Sequence, residues 1–168
     1  MLKLPYQRLA EGTFALRSKL MAYRITKLLP VFFALAVALV GAENSIGTIK
    51  SVQGAAIIRR GTQSMTVNEG MHLELNDVIQ SSGDCRLGMM LQDGTRISLG
   101  PNAELRLDQF VYQPSDGKFA LLLKLGRGAL AYISGRIAQL SPASVSVETP
   151  VGVIGLRGTR FVVSLEGV

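Results

Sequence analysis

Residues able to do chemistry are few in this sequence, and they are scattered. His72 is the single histidine, set in the alternating run Gly70-Met-His-Leu-Glu-Leu75. One imidazole with no second His and no neighbouring Cys does not assemble a zinc site, and a lone His at a strand edge is a surface residue by default. The Gly-x-Ser-x-Gly elbow that presents a nucleophilic serine is missing. Asp77, Asp84, Asp93, Asp108 and Asp116 stand one at a time among turn residues. Glycoside hydrolysis needs two carboxylates at roughly 5–9.5 Å; here ordinary turn chemistry accounts for each acid. Val151-Gly-Val-Ile-Gly-Leu-Arg-Gly158 has the glycines of a phosphate loop but no lysine. A strand follows it, so no helix N-terminus meets a phosphate. Cys85 is alone, which rules out an internal disulfide. It reads as a small strand residue, or as the thiol of an intermolecular bridge. These residues predict a protein that is not an enzyme and holds no metal or cofactor.

Charge points the same way once it is divided. The chain carries a formal net charge of +6. Lys3, Arg8, Arg17, Lys19, Arg24 and Lys27 all precede Ala42, against one acid, Glu11. From Glu43 onward 12 Lys/Arg face 11 Asp/Glu, a balance of +1. The nearly neutral remainder excludes nucleic acid as the expected partner.

The basic leader has its own explanation. Met21-Ala-Tyr-Arg-Ile-Thr-Lys27 is followed by the uncharged segment Leu28 to Val40, and Val40-Gly41-Ala42 places small side chains at a signal-peptidase site. Thirteen residues span about 20 Å as a helix, short of the roughly 30 Å hydrocarbon core. The segment is therefore expected to be a signal peptide cleaved after Ala42, or a membrane anchor if it is retained. Residues 1–20 read as an overcalled start or a short tail, 21–42 as the targeting segment, and 43–168 as an exported domain.

The elements that must position any site are strands. Val, Ile, Leu and Thr alternate with polar residues in short runs cut by Gly, Asn, Asp and Pro. The runs predict strands at 47–52, 55–60, 63–67, 78–81, 86–91, 95–99, 103–111, 118–125, 128–133, 145–148 and 160–165. Asp93-Gly94 predicts a hairpin with a two-residue loop, and Gly135 to Leu140 a single helical turn. Lys118 to Leu125 is apolar on both faces, as befits a central strand.

Four segments, taken together, resemble the FecR domain of bacterial cell envelopes. They are Gly47-Thr-Ile-Lys-Ser-Val-Gln-Gly54, Gly70 through Asp77-Val-Ile-Gln-Ser81, Leu91-Gln-Asp-Gly-Thr-Arg-Ile-Ser-Leu-Gly-Pro101, and Val147-Glu-Thr-Pro150 leading to Gly155-Leu-Arg-Gly-Thr-Arg-Phe161. The resemblance implies an all-β fold, a β-solenoid or rolled antiparallel sheet, preceded by the N-terminal apolar signal or anchor helix. It implies a periplasmic or otherwise exported protein, with an inner-membrane tether only if the leader is uncleaved. In the family's transmembrane regulators a cytoplasmic sigma-binding region precedes the membrane helix. Here at most 27 residues precede the apolar segment, so anti-sigma control is not expected. The chain ends at Val168, where a missing last strand would leave an open edge.

The expected function is a non-catalytic envelope protein-interaction or signalling module. Thr149, Pro150, Arg157, Gly158, Thr159 and Phe161 form its interaction segment, and one or more envelope proteins are its partners. Fixing a corner of the fold is the plain structural alternative for these residues. The alternative function is a glycan- or peptidoglycan-associated module, for which Tyr112 and Tyr132 would need to be exposed beside a groove.

Overall fold

Period-two alternation becomes strand wherever it occurs, because one face of each run can then be buried. The computed structural model describes residues 45–155 and 160–165. The targeting segment with its cleavage site after Ala42, and Arg157, Gly158 and Thr159, lie outside the described residues. Twelve strands are described: β1 (Ser45–Gln53), β2 (Ala56–Arg60), β3 (Gln63–Thr66), β4 (His72–Glu74), β5 (Val78–Ser81), β6 (Arg86–Leu91), β7 (Arg96–Leu99), β8 (Glu104–Gln113), β9 (Lys118–Ile133), β10 (Val145–Thr149), β11 (Gly152–Gly155) and β12 (Arg160–Leu165). A short helix α1 (Arg136–Leu140) stands where the helical turn is expected. Among the described residues no helix is long and apolar enough to cross a membrane.

The strands form one strongly curled sheet, a half-barrel, with β9 as its spine. β9 is a continuous strand of 16 residues, where the sequence predicts two strands separated at 126–127. Its first half pairs with β8 on one edge and β10 on the other. Its second half pairs with β7 and β12. Beyond β8 lie β5, β2 and β3; beyond β7 lie β6, β1 and β4. Every described ladder is antiparallel except β10 on β9. The architecture is therefore the rolled antiparallel sheet of the two expected forms, and not the parallel stack of coils of a solenoid.

Curling has identifiable causes. Register shifts interrupt β1 on β6 between Ile49 and Ser51, and β8 on β9 at Glu104/Leu105 and at Leu107/Gln109. Such bulges bend a strand and increase its twist. Gly128 sits at the middle of β9 with φ 78°, and a Cβ there would lie 2.7 Å from the Cβ of Ala103. Only glycine lets the spine turn from one half of the sheet into the other at this approach. Inner faces of the two halves then meet in one core, with Ile58, Ile79, Leu105 and Leu123 from one half and Ile49, Leu87, Ile97 and Tyr132 from the other.

The Asp93-Gly94 hairpin joins β6 and β7 in the expected register, Leu87 opposite Leu99 and Met89 opposite Ile97. Its loop has three residues, not two. Gly94 N–H donates to Leu91 O at 3.0 Å and Leu91 N–H to Thr95 O at 2.9 Å, and only Gly94 is left-handed, at φ 82°. The extra residue frees Asp93 to turn inward, where it is 2% exposed. Its carboxylate accepts from Thr95 N–H at 3.0 Å, Thr95 Oγ1 at 2.8 Å and Ile137 N–H at 3.2 Å. Its carbonyl accepts from Arg136 N–H at 2.8 Å. One aspartate thus closes the hairpin and satisfies the start of α1.

Gly135 makes that docking feasible, since a Cβ there would lie 2.6 Å from Asp93 Oδ2 and 2.7 Å from Asp93 O. Gly135→Ala should lower stability by more than about 2 kcal/mol, because the clash is with fixed backbone. Gly117→Ala, at a left-handed residue (φ 63°) with open space around it, should cost only about 1 kcal/mol. Urea titration of both variants measures the difference; equal midpoints would show that α1 does not depend on this contact.

Candidate interaction site

Two buried aspartates belong to the motif segments, and both are fully engaged. Asp77 has no exposed surface. Arg60 Nε and Nη2 donate to its two oxygens, each at 2.8 Å, and Glu74 N–H donates to Oδ2 at 2.8 Å. Arg60 also donates to the Glu74 carboxylate and to His72 O. The hydrogen bond that Arg60 donates to Asp77 is the main reason that Arg60 is held above its ordinary pKa. Asn76, between these acids, has φ 67°, a conformation Asn tolerates better than other non-glycine residues. Ser81 is a third buried anchor: its hydroxyl donates to Gly100 O at 2.7 Å and accepts from Ala103 N–H at 2.8 Å. Carboxylates saturated by fixed donors in this way are structural pins, not acids or bases poised for proton transfer. The sequence places Asp77 and Asp93 singly among turn residues; their burial is what it does not reveal.

The other chemistry-bearing residues do not converge. His72 is exposed on β4, with Nδ1 3.4 Å from Ser45 Oγ. Among the described residues no three His, Cys, Asp or Glu side chains stand close enough to hold a metal ion. Cys85 is buried with 0% exposure, and burial raises its thiol pKa. That location leaves no thiol surface for an intermolecular disulfide in the folded protein. Tyr132 is likewise 0% exposed and Tyr112 is half-buried against Phe119, with ring centroids 6.3 Å apart. The exposed tyrosine pair that a glycan platform requires is not there. Burial pushes the Tyr132 hydroxyl pKa up, with the nearby Thr95 and Ser134 opposing part of the rise; the hydroxyl makes no hydrogen bond of ordinary geometry.

Of the predicted interaction segment, the described residues Thr149, Pro150 and Phe161 lie at the C-terminal edges of the sheet. Thr149 and Pro150 begin the tight β10–β11 turn, with Thr149 opposite Gly152 and Thr149 Oγ1 donating to Gly152 O at 2.8 Å. Pro150 suits the second position of such a turn. Val151 and Val153 beyond it are 79% and 68% exposed. Phe161, on β12, stacks on Tyr132 with centroids 4.8 Å apart. It anchors β12 to the spine, so its role is packing. The structure brings Pro150 and Val151 close to Ser164 and Leu165 across a cleft of about 470 Å³. Gly126, Arg127 and Gly128 line the same cleft, where β9 passes from pairing with β10 to pairing with β12.

β12 has the plainest recognition chemistry. Among the described residues it pairs with β9 alone. Phe161, Val163 and Leu165 pack against the core but remain only partly buried, while Val162 on the opposite face is 69% exposed. Six residues of unpaired backbone edge beside an incompletely covered apolar row form a template for another strand.

A family model described as FecR protein matches residues 77–167, more than half of the chain, and the chain belongs to that family. FecR domains occur in signalling and sensor proteins and are generally non-catalytic. The matched span begins at Asp77, so Gly47 to Gly54 precedes it. Neither curated proteins nor solved structures show a match to the chain.

Two measurements check these placements. Cys85 should react with a thiol reagent at pH 8 at least about a hundredfold more slowly in the native protein than in urea, since burial withholds both access and thiolate; equal rates would contradict its burial. Phe161→Ala should cost about 2 kcal/mol, less than a fully buried Phe, and should raise amide exchange in β12 ahead of β7. Uniform exchange across both strands would mean that Phe161 does not anchor β12.

Proposed function

We propose that this FecR domain is a non-catalytic, exported module of the cell envelope that binds a protein partner by strand addition at β12. The exposed edge of β12 carries the proposal. A partner strand laid beside it gains backbone hydrogen bonds from the edge and specificity from alternate side chains. It also completes burial of Phe161, Val163 and Leu165, which the domain leaves partly covered. The other described edges serve less well. β4 has three residues and β3 and β11 four each, and the Arg60 network holds β4 from behind.

Periplasmic placement is part of the same proposal. It is supported by the order of basic stretch, uncharged segment and small residues that ends at Ala42. The signalling character of the family agrees with a module that recognises a protein and transmits its presence. The network that fixes Asp77 and Asp93 supports a rigid scaffold, which lowers the ordering cost at a binding edge.

A photo-crosslinking residue at Ser164, on the exposed face of β12, tests this in intact cells. It should capture a single envelope protein, identified by mass spectrometry, that a crosslinker at exposed Ile57 on β2 does not. Capture at neither position, or the same proteins at both, would rule out the edge as the binding site.

A further inference from the structure

The outer face of the β1–β6–β7–β9–β12 half holds a groove of about 420 Å³. One register row crosses it: Ser51 opposite Gly88, Gly88 opposite Ser98, Ser98 opposite Ala131 and Ala131 opposite Val162. Strands spaced at about 4.8 Å make this row about 19 Å long, the span of roughly six extended residues. No side chain in the row is larger than valine, so a backbone can approach the sheet closely. Ser51 and Ser98 are exposed and supply hydroxyls along the way.

Charge within these strands has one sign, although Glu69 reaches β1 from outside them and accepts from Val52 N–H at 3.3 Å. The only charged side chains in β1, β6, β7, β12 and residues 128–133 are Lys50, Arg86, Arg96 and Arg160, all exposed. Arg86 lines the groove. Arg96 and Arg160 both stand opposite Ile133, on the strands either side of it. None of the four takes part in an ion pair among the described residues. In the other half several cations are paired, although Arg59 and Lys118 are not. Asp108 pairs with Arg106 and Lys124, Lys124 also with Glu148, and Arg127 with Glu104. Asp108 and then Glu148 hold Lys124 above its ordinary pKa. A domain of nearly balanced charge thus carries, on this group of strands, four cations with no ion pair among the described residues, and Arg86 lines the groove itself.

We propose that this groove docks an extended, carboxylate-bearing segment of a partner protein. Arginine fits carboxylates bidentately, and a one-signed surface steers an acidic chain toward it. A floor of glycine, serine and alanine suits a peptide backbone. It offers no aromatic ring on which a base could stack, and Val162 is the one exposed large apolar side chain that lines it. The proposal rests on the reading of the domain as a protein-interaction module, but it uses a sheet face and not the β12 edge.

The probe is a fluorescein-labelled eight-residue peptide alternating Glu and Ser, titrated into the exported domain in its full described extent. Its Gln–Ser counterpart and phosphatidylglycerol vesicles are titrated in parallel. Amide NMR shifts should localise to Ser51, Gly88, Ser98 and Ala131, and affinity should fall about tenfold between 50 and 300 mM salt as screening grows. The double variant Arg86→Glu/Arg96→Glu should weaken binding at least about tenfold, at exposed positions where stability changes little. Ser98→Leu should weaken it comparably by filling the groove with no change of charge. Equal binding of the Gln–Ser peptide, shifts away from this row, or binding to vesicles but not to peptide would overturn the proposal. Crosslinking at Ser164 in the wild-type domain while the peptide fails to bind that same domain would sink the groove and leave strand addition standing. Peptide binding with no capture at Ser164 would do the reverse.

Discussion

Everything in this domain hangs on the two hydrogen-bonding edges of β9. A strand of ordinary length has two neighbours, whereas β9 is long enough to take four: β8 and β10 along its first half, β7 and β12 along its second. Both halves of the sheet therefore share a backbone. The turn at Gly128 sets the angle between them, and the inner faces close on a common core because that angle permits no other packing. The proposed binding surfaces then fall where the spine has no more partners to give. The cleft at residues 126–128, the open edge of β12 and the groove across the outer face are all consequences of how β9 divides its pairing.

The motif residues that mark the family do most of their work inside. Asp77, Ser81, Asp93 and Thr95 are buried polar groups, and each has its hydrogen bonds. They join turns to strands that lie far apart in sequence, as when Asp93 meets Ile137. Polar groups in a dry interior cost free energy when a partner is lost. They therefore specify one arrangement of the turns more strictly than apolar contacts would. On the outer surface the two halves differ in pairing: Arg106, Lys124 and Arg127 meet acids in one, while Lys50, Arg86, Arg96 and Arg160 meet none among the described residues of the other.

Much of the fold was legible because alternation translates directly into burial. Val78 to Ser81, Arg86 to Leu91 and Arg160 to Leu165 have the expected bounds. Where reading and structure part, the cause is tertiary. Lys118 to Ile133 looked like two strands because Gly126-Arg127-Gly128 resembles a turn; pairing on both sides keeps it extended. The Asp93 loop looks like a two-residue hairpin because nothing in the local sequence reveals α1, whose Ile137 N–H, 44 residues on, meets its carboxylate. Of the interaction segment, Thr149 and Pro150 are readable as a turn from their types alone. Phe161 is not, since its stacking on Tyr132 depends on a register that only the assembled sheet defines. The groove was invisible for the same reason: its residues come from five strands and share no sequence neighbourhood.

The shared spine also governs the order in which the domain can be built. β8 and β9 are joined by the short turn at Pro114–Asp116 and can pair as soon as both are made. The opposite edge of β9 must wait for β10 and β12, the latter among the last residues of the chain. Closing that edge requires contacts of long sequence separation, which are slow to form and leave an apolar strand uncovered in the interval. Until Leu165 has emerged from synthesis, residues 128–133 of β9 lack the strand that pairs with them on that edge.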